Sequence, residues 1–203
     1  MAILRVAQMG HPVLRMICQP VEAMSFASSE FQDLCDNMLD TLYEYDGAGL
    51  AAPQVHVPLR VVVLTLDDAR GPEFFVNPVI TPQSDDMVWK WEGCLSVEGL
   101  RGKVQRYSHV KIEALDREGQ PKSYELQGFP AVVVQHECDH LDGILYIDKA
   151  DRTTLAFLSE YRKWGPLDEL DDLDDLDIED DELDEFDEFD DEELDDEALA
   201  KVK

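Results

Sequence analysis

Positive charge is scarce in this sequence: 17 Lys and Arg stand against 46 Asp and Glu in 203 residues, a formal net charge of -29. The deficit is concentrated at one end. Asp168 to Lys203 carry 22 acids and two lysines, which leaves Met1 to Leu167 near -9. A chain without a basic face repels phosphate backbones and anionic lipid at long range, so direct nucleic-acid binding and membrane attachment are not expected. Long apolar runs are missing as well. The strongest, Val61-Val-Val-Leu64 and Ala131-Val-Val-Val134, fall far short of the roughly 18 residues that a membrane-crossing helix needs. The opening Met1-Ala-Ile-Leu-Arg5 has neither the basic stretch nor the apolar run of a secretory leader. With only four cysteines (Cys18, Cys35, Cys94 and Cys138) and a body large enough to bury a core without cross-links, free thiols in a cytoplasmic setting are expected.

The apolar periodicity points to a mixed α+β chain. Phe31, Leu34, Cys35, Met38, Leu42 and Tyr45 recur at three and four between Ser25 and Gly47, which predicts an amphipathic helix with serine caps and a glycine stop. Leu59 to Leu66, Glu73 to Pro78 and Met87 to Trp91 read as strands, and His109 to Leu115 with Ser123 to Leu126 as a hairpin across the turn Arg117-Glu-Gly-Gln120. Phe129 to Leu141 predicts a second helix with Pro130 in its first turn, and Thr153 to Trp164 a third, ending at Gly165-Pro166. Strands without regularly alternating helices argue for antiparallel sheets rather than a doubly wound one. Residues 1–164 are read as one domain. In 165–203 a leucine returns every third position, in Leu167-Asp-Glu-Leu-Asp-Asp-Leu-Asp-Asp-Leu176, amid charge too dense for a core, so a solvated, disordered tail is expected. Binding of a basic partner is its alternative role.

The sharpest chemical signal is His136-Glu137-Cys138-Asp139-His140. On a helix, residues four apart share a face, so the two imidazoles can chelate one metal while Glu137 reaches a water on it. Phe129, Val132 and Val133 precede His136 by seven, four and three residues, on the same face, and would set an apolar wall beside the ion. Cys138 falls about 200 degrees around the helix from His136 and reads as packing. His11, His56 and His109 have no partner at ligand spacing, and Trp89 and Trp91 alternate like core strand residues. Catalytic sites of this type use three protein ligands. Cys94, in Trp91-Glu-Gly-Cys-Leu-Ser96, offers a third, although by spacing alone a lone cysteine is more often a small buried hydrophobe. Gly47-Ala-Gly-Leu-Ala-Ala-Pro-Gln54 is either a helix stop with a turn or a backbone edge for substrate. It lacks the Lys-Ser/Thr of a phosphate loop and the dinucleotide pattern.

Together, Gly47 to Gln54, Glu92 to Ser96 and Gln135-His-Glu-Cys-Asp-His-Leu141 resemble peptide deformylase, as do His11-Pro-Val-Leu-Arg15 and Asp142-Gly-Ile-Leu-Tyr-Ile-Asp148, over about residues 1 to 164. The resemblance implies antiparallel sheets packed around a central helix that carries the two histidines. It implies that Cys94, His136 and His140 hold one divalent ion, with iron(II) the working ion and zinc, nickel or cobalt as substitutes, and that Glu137 is the acid and base. Gln54 and the Leu95 backbone N–H would hold the developing oxyanion, and Gly49 the substrate backbone. Ala48, Phe129, Val132 and Val133 would line the first side-chain pocket, with Arg101 near the channel. The implied reaction removes the formyl group from the starting methionine of new proteins and releases formate, with transient ribosome contact as a possible further property of the family. Glu98 stands where relatives commonly have proline. Two rivals are a metallopeptidase taking a downstream acid such as Asp148 as third ligand, and a non-catalytic deformylase-like protein that binds a basic partner through its tail.

Overall fold

Ser28 opens the first long helix: its Oγ accepts a hydrogen bond from Phe31 N at 3.2 Å, capping α1 (Ser29–Glu44). Phe31, Cys35, Met38 and Leu42 then repeat at four, three and four and are buried together. The structure, a computed structural model, describes residues 2–66 and 71–165. The expected acidic tail therefore lies outside the described residues, apart from Gly165.

The stripe on α1 packs on a five-stranded sheet in the order β1-β2-β3-β6-β7, antiparallel throughout. Its strands are β1 (Gly49–Ala51), β2 (Val61–Thr65), β3 (Pro72–Pro82), β6 (His109–Leu115) and β7 (Pro121–Gln127). β2 is apolar from Val61 to Leu64 because both of its faces are covered there. Val61 and Val63 face the α1 side, whereas Val62 and Leu64 join the core under α2 (Phe129–Leu141) with Phe75, Ile112, Val134 and Leu141. A second sheet, in the order β4-β5-β8, is built from β4 (Met87–Cys94), β5 (Val97–Tyr107) and β8 (Ala156–Phe157). α3 (Tyr146–Lys149) packs on β5 and β4, and α4 (Leu158–Trp164) on β5 and β8. α2 touches β1, β2 and β7 of the first sheet and β5 of the second. The expected architecture of antiparallel sheets with few helices is what forms.

Four local expectations are corrected. The strand read as ending at Pro78 continues to Pro82, because a bulge between Val76 and Val79 absorbs the residue that cannot donate to the ladder. At this bulge Asn77 takes a left-handed φ of 52° and clasps Val21, accepting from its N–H at 2.8 Å and donating to its carbonyl at 2.9 Å. β5 was not foreseen at all: its inward positions include the polar Arg106, which hides the period of two. The helix expected over Thr153 to Trp164 starts only at Leu158. Before it, Asp151 caps a 3-10 turn (Arg152–Thr154), and Ala156–Phe157 pairs with Arg101 and Leu100 as a short edge strand. Finally, Trp89 is half exposed rather than core. No helix among the described residues is long and apolar enough to cross a membrane.

Candidate metal centre

Cys94 and Val97 pair across the end of the β4–β5 hairpin, with Leu95 and Ser96 as its two-residue turn. The turn folds back on the thiol. Ser96 N donates to Cys94 Sγ at 3.4 Å, and the sulfur sits 3.3 Å from His140 Nε2 on α2. One turn earlier on α2, His136 places its ring 5.1 Å from that of His140, nearly perpendicular. One ligand atom from each of Cys94, His136 and His140 falls within a 4.8 Å cluster. Both imidazoles are buried, and the thiol is partly so.

His136 is held from behind. Its Nδ1 lies 2.8 Å from Glu92 Oε2, which leaves Nε2 for coordination. Glu92 in turn receives Arg106 through Nε at 2.7 Å and Nη2 at 2.9 Å, and Arg106 Nη1 donates to Asp139 Oδ2 at 2.5 Å. Lys149 Nζ closes the series on Asp139 Oδ1 at 2.6 Å. Burial opposes the charge on Glu92, but Arg106 and His136 outweigh it and hold the carboxyl down at about 2. Tyr146 stacks on His136 with ring centroids 6.0 Å apart. None of Glu92, Arg106, Asp139 or Tyr146 was assigned a role from sequence. Glu92 stood in the Glu-Gly-Cys block, where its placement two residues before Cys94 was the available signal. For Arg106 no sequence signal existed.

Glu137 is buried and its Oε2 has no hydrogen-bond partner among the described residues. Burial, reinforced by the charge of Glu92 and opposed by His136 and Arg106, pushes its carboxyl up to about 7. Burial also lowers His136, yet hydrogen bonds with Cys94 and Glu92 carry it well above the usual range. His140 is driven well below, first by burial and then by the charges of His136 and Arg106. The two imidazoles are thus pushed in opposite directions, His136 toward and His140 away from carrying a proton.

The other expected residues gather around it unevenly. Gln54 is buried in a 3-10 turn (Ala52–Val55); its Oε1 accepts from Ala51 N at 2.8 Å, and its Nε2 faces Ser96 Oγ at 3.3 Å and Cys94 Sγ at 3.6 Å. Leu95 lies in the hairpin turn beside it. Gly49 runs against Glu137: a Cβ there would meet Glu137 Cγ at 2.7 Å and Oε1 at 2.8 Å. Ala48 and Val133 share one core cluster, Val132 is buried, and Phe129 at the helix start is largely open to solvent. Arg101 is buried with its guanidinium over the α-carbon of Gly93, and its Nη1 donates to Leu100 O at 3.0 Å. Glu98 is exposed on β5. Cys138 packs against the core, and His11 pairs edge-on with His56 at 4.7 Å, away from the cluster. Asp148, the rival third ligand, is engaged by Arg15 and by Leu145 N at 2.8 Å.

Known proteins resemble this chain over most of its length. The family model described as polypeptide deformylase matches residues 3–155. Peptide deformylase 1 of Prochlorococcus marinus is 42% identical over 180 residues, covering 83% of this chain and 92% of the relative. The peptide deformylase of Pseudomonas aeruginosa is 43% identical over 169 residues, covering 80% and 99%. Among solved structures, the actinonin-bound class I type b peptide deformylase of Acinetobacter baumannii superposes with a TM-score of 0.69 at 39% identity, over 74% of this chain and all of that one (100%). The Thermotoga maritima peptide deformylase gives 0.70 at 34% identity, over 74% and 99%.

Proposed function

The chain belongs to the polypeptide deformylase family, and from that premise we propose that Cys94, His136 and His140 hold its divalent ion while Glu137 manages the proton. The chain is a hydrolase that removes the N-formyl group from newly made peptides. What carries the site assignment is the convergence of one thiol and two imidazoles within 4.8 Å beside a buried carboxyl that lacks a partner among the described residues.

The donor set fits a metal. One thiolate and two imidazoles suit iron(II), zinc, nickel or cobalt, and three protein ligands leave a position open. The negative groups that favour a proton on His136 would equally favour a dication. When bound, the ion supplies Lewis acidity, lowering the pKa of a coordinated water toward neutrality. Iron(II) is the working ion in this reading, with the others as substitutes.

The chain's own residues do the rest. Glu137, poised near neutrality, takes a proton from the water that adds to the formyl carbon. It then delivers that proton to the amine as the carbon–nitrogen bond breaks, so formate and a free N-terminus leave. Gln54 Nε2 and the Leu95 N–H donate to the oxygen on which charge develops, a role in which one lost donor costs about 100- to 1000-fold in rate. Gly49 brings substrate backbone close to Glu137, since no side chain stands between. Ala48, Phe129, Val132 and Val133 offer an uncharged wall that suits methionine, with Arg101, buried against Gly93, near the channel. The catalytic unit spans 1–164, and the acidic segment 165–203 stands outside the chemistry. A cytoplasmic setting fits the free thiols. Any ribosome contact made by the acidic segment would run through basic protein surfaces, since RNA would repel it.

The test is direct: purified protein is incubated with a formyl-Met peptide, its unformylated twin and a longer internal peptide. Formate from the first alone supports the reading; cleavage of the internal peptide would replace it with a peptidase.

A further inference from the structure

The outer face of the second sheet is only partly covered. Along β4, Met87, Trp89 and Trp91 alternate onto one side, opposite Tyr107, Gln105 and Lys103 of β5. α4 caps one end, where Tyr161 lies 4.5 Å from Trp91, centroid to centroid, and Lys103 Nζ sits 5.4 Å above the Trp91 ring. Beyond that point Trp89 and Met87 remain 49% and 40% exposed, an apolar strip in the open. At the α4 end the rim is basic. Arg162 and Lys163 occupy the last turn of α4. Arg152 stands on the turn fastened to β5 by Lys103 N donating to Thr154 Oγ1 at 2.8 Å. The acids nearby are Asp151, turned onto Thr153 N at 2.9 Å, Glu160 in the first turn of α4, and the exposed Asp85 and Asp86 before Met87 at the far end.

The described chain ends against this face. At Gly165 a Cβ would lie 3.1 Å from Cδ2 and Cε2 of Tyr161, the ring that contacts Trp91. Residues 166–203 follow, opening with leucines at 167, 170, 173 and 176 separated by acids, and holding 22 acids against two lysines. A spacing of three sets all four leucines on one side of a polyproline-type segment, which repeats every three residues, and on an α-helix keeps only neighbouring pairs together. The distance to cover is short: four strand residues from Trp91 to Met87 span about 13 Å, whereas ten residues from Leu167 reach about 15 Å as a helix and more when extended.

We propose that the acidic segment folds back in cis onto this face, its first leucines on Met87 and Trp89 and its carboxylates beside Lys103, Arg152, Arg162 and Lys163. The occupant belongs to the same chain, so its effective concentration is in the millimolar range, which a foreign basic partner must outcompete. Charge complementarity is specific to this surface, because the segment repels the acidic remainder of the body.

Zero-length carbodiimide coupling of the intact full chain tests this, using an equal mixture of isotopically light and heavy protein to separate coupling within one chain from coupling between chains. At low salt, acids of 168–182 should couple within one chain to Lys103 and Lys163, and the yield should fall at least fivefold in 1 M NaCl. It should fall at least fivefold also in Trp89→Ser and in the double variant Leu170→Ser, Leu173→Ser. The double variant leaves every charge in place and does not touch the folded body, so it decides the question even if Trp89→Ser misfolds. Three results would overturn the proposal: coupling mainly between chains, equal coupling to Lys111 and Lys122 on the other sheet, or a yield unchanged in the leucine variant.

Discussion

Glu92 Oε2 lies 2.8 Å from His136 Nδ1, and the same carboxylate is gripped at both oxygens by Arg106. The first contact fixes which nitrogen of His136 faces the cluster; the second keeps the carboxylate ionised and aimed. The pair is almost wholly buried, with side chains 3% and 4% exposed.

Glu92→Gln should therefore weaken metal retention by about 10- to 100-fold, although no ligand is removed. Competition against a chelator of known affinity measures this. Retention equal to that of the parent protein would show that His136 needs no orientation from behind.

Glu137→Gln should keep the ion and lose at least about 100-fold in deformylation, because the amide cannot carry the proton from water to amine. Metal content and kcat, measured on the same preparation, must separate. Near-normal turnover would place the acid and base elsewhere.

The four free thiols should differ sharply in reactivity. Burial raises Cys18 to about 11 and Cys35 to about 12, and Cys138 higher still. A raised pKa keeps the thiol protonated, so at pH 8 the thiolate is about one part in a thousand for Cys18 and one in ten thousand for Cys35. In metal-depleted protein, iodoacetamide should label Cys94 first, and added zinc should protect it. Peptide mass spectrometry reads the order; early labelling of Cys35, which is fully buried, would contradict it.

Deleting 166–203 should leave turnover on a short formyl-Met peptide within about twofold of the full chain, since the segment lies outside the matched residues 3–155 and the Cys94, His136 and His140 cluster is complete without it. A large loss would show that the segment takes part in catalysis.

Much of this molecule was legible because its strongest signals are local. The α1 stripe, the strands around Val61 to Leu64 and His109 to Leu115, and the span of α2 all follow from periodicity that tertiary packing reinforces. β5 escaped because its period is interrupted where Arg106 turns inward to reach Glu92 and Asp139, an arrangement rewarded only once both partners are in place. β8 escaped for a related reason: two residues carry no pattern, and only the waiting edge of β5 makes them a strand. His136 and His140 announced themselves by spacing, and Cys94 and Gln54 by their blocks of neighbours. Glu92 could be located but not read, since its task lies behind an imidazole rather than in front of a substrate.

β2 carries a different kind of information. In Val61-Val-Val-Leu64 the two faces are nearly interchangeable, so a slip of one residue would exchange valine for valine, and hydrophobicity alone would scarcely resist it. Alignment must come from groups that tolerate no slip. Asn77 is one: its bulge beside β2 is tied to both polar atoms of the Val21 backbone, and its own N–H donates to Arg60 O at 2.8 Å. The register so pinned sets Gly49 opposite Leu64. A single-step shift would carry that glycine about 3.3 Å along the strand, and the next side chain would arrive where the Glu137 carboxyl now sits. The alignment of backbone against Glu137 is thus inherited from an asparagine two strands away, and wear at that clasp would be felt as lost chemistry before it was felt as lost fold.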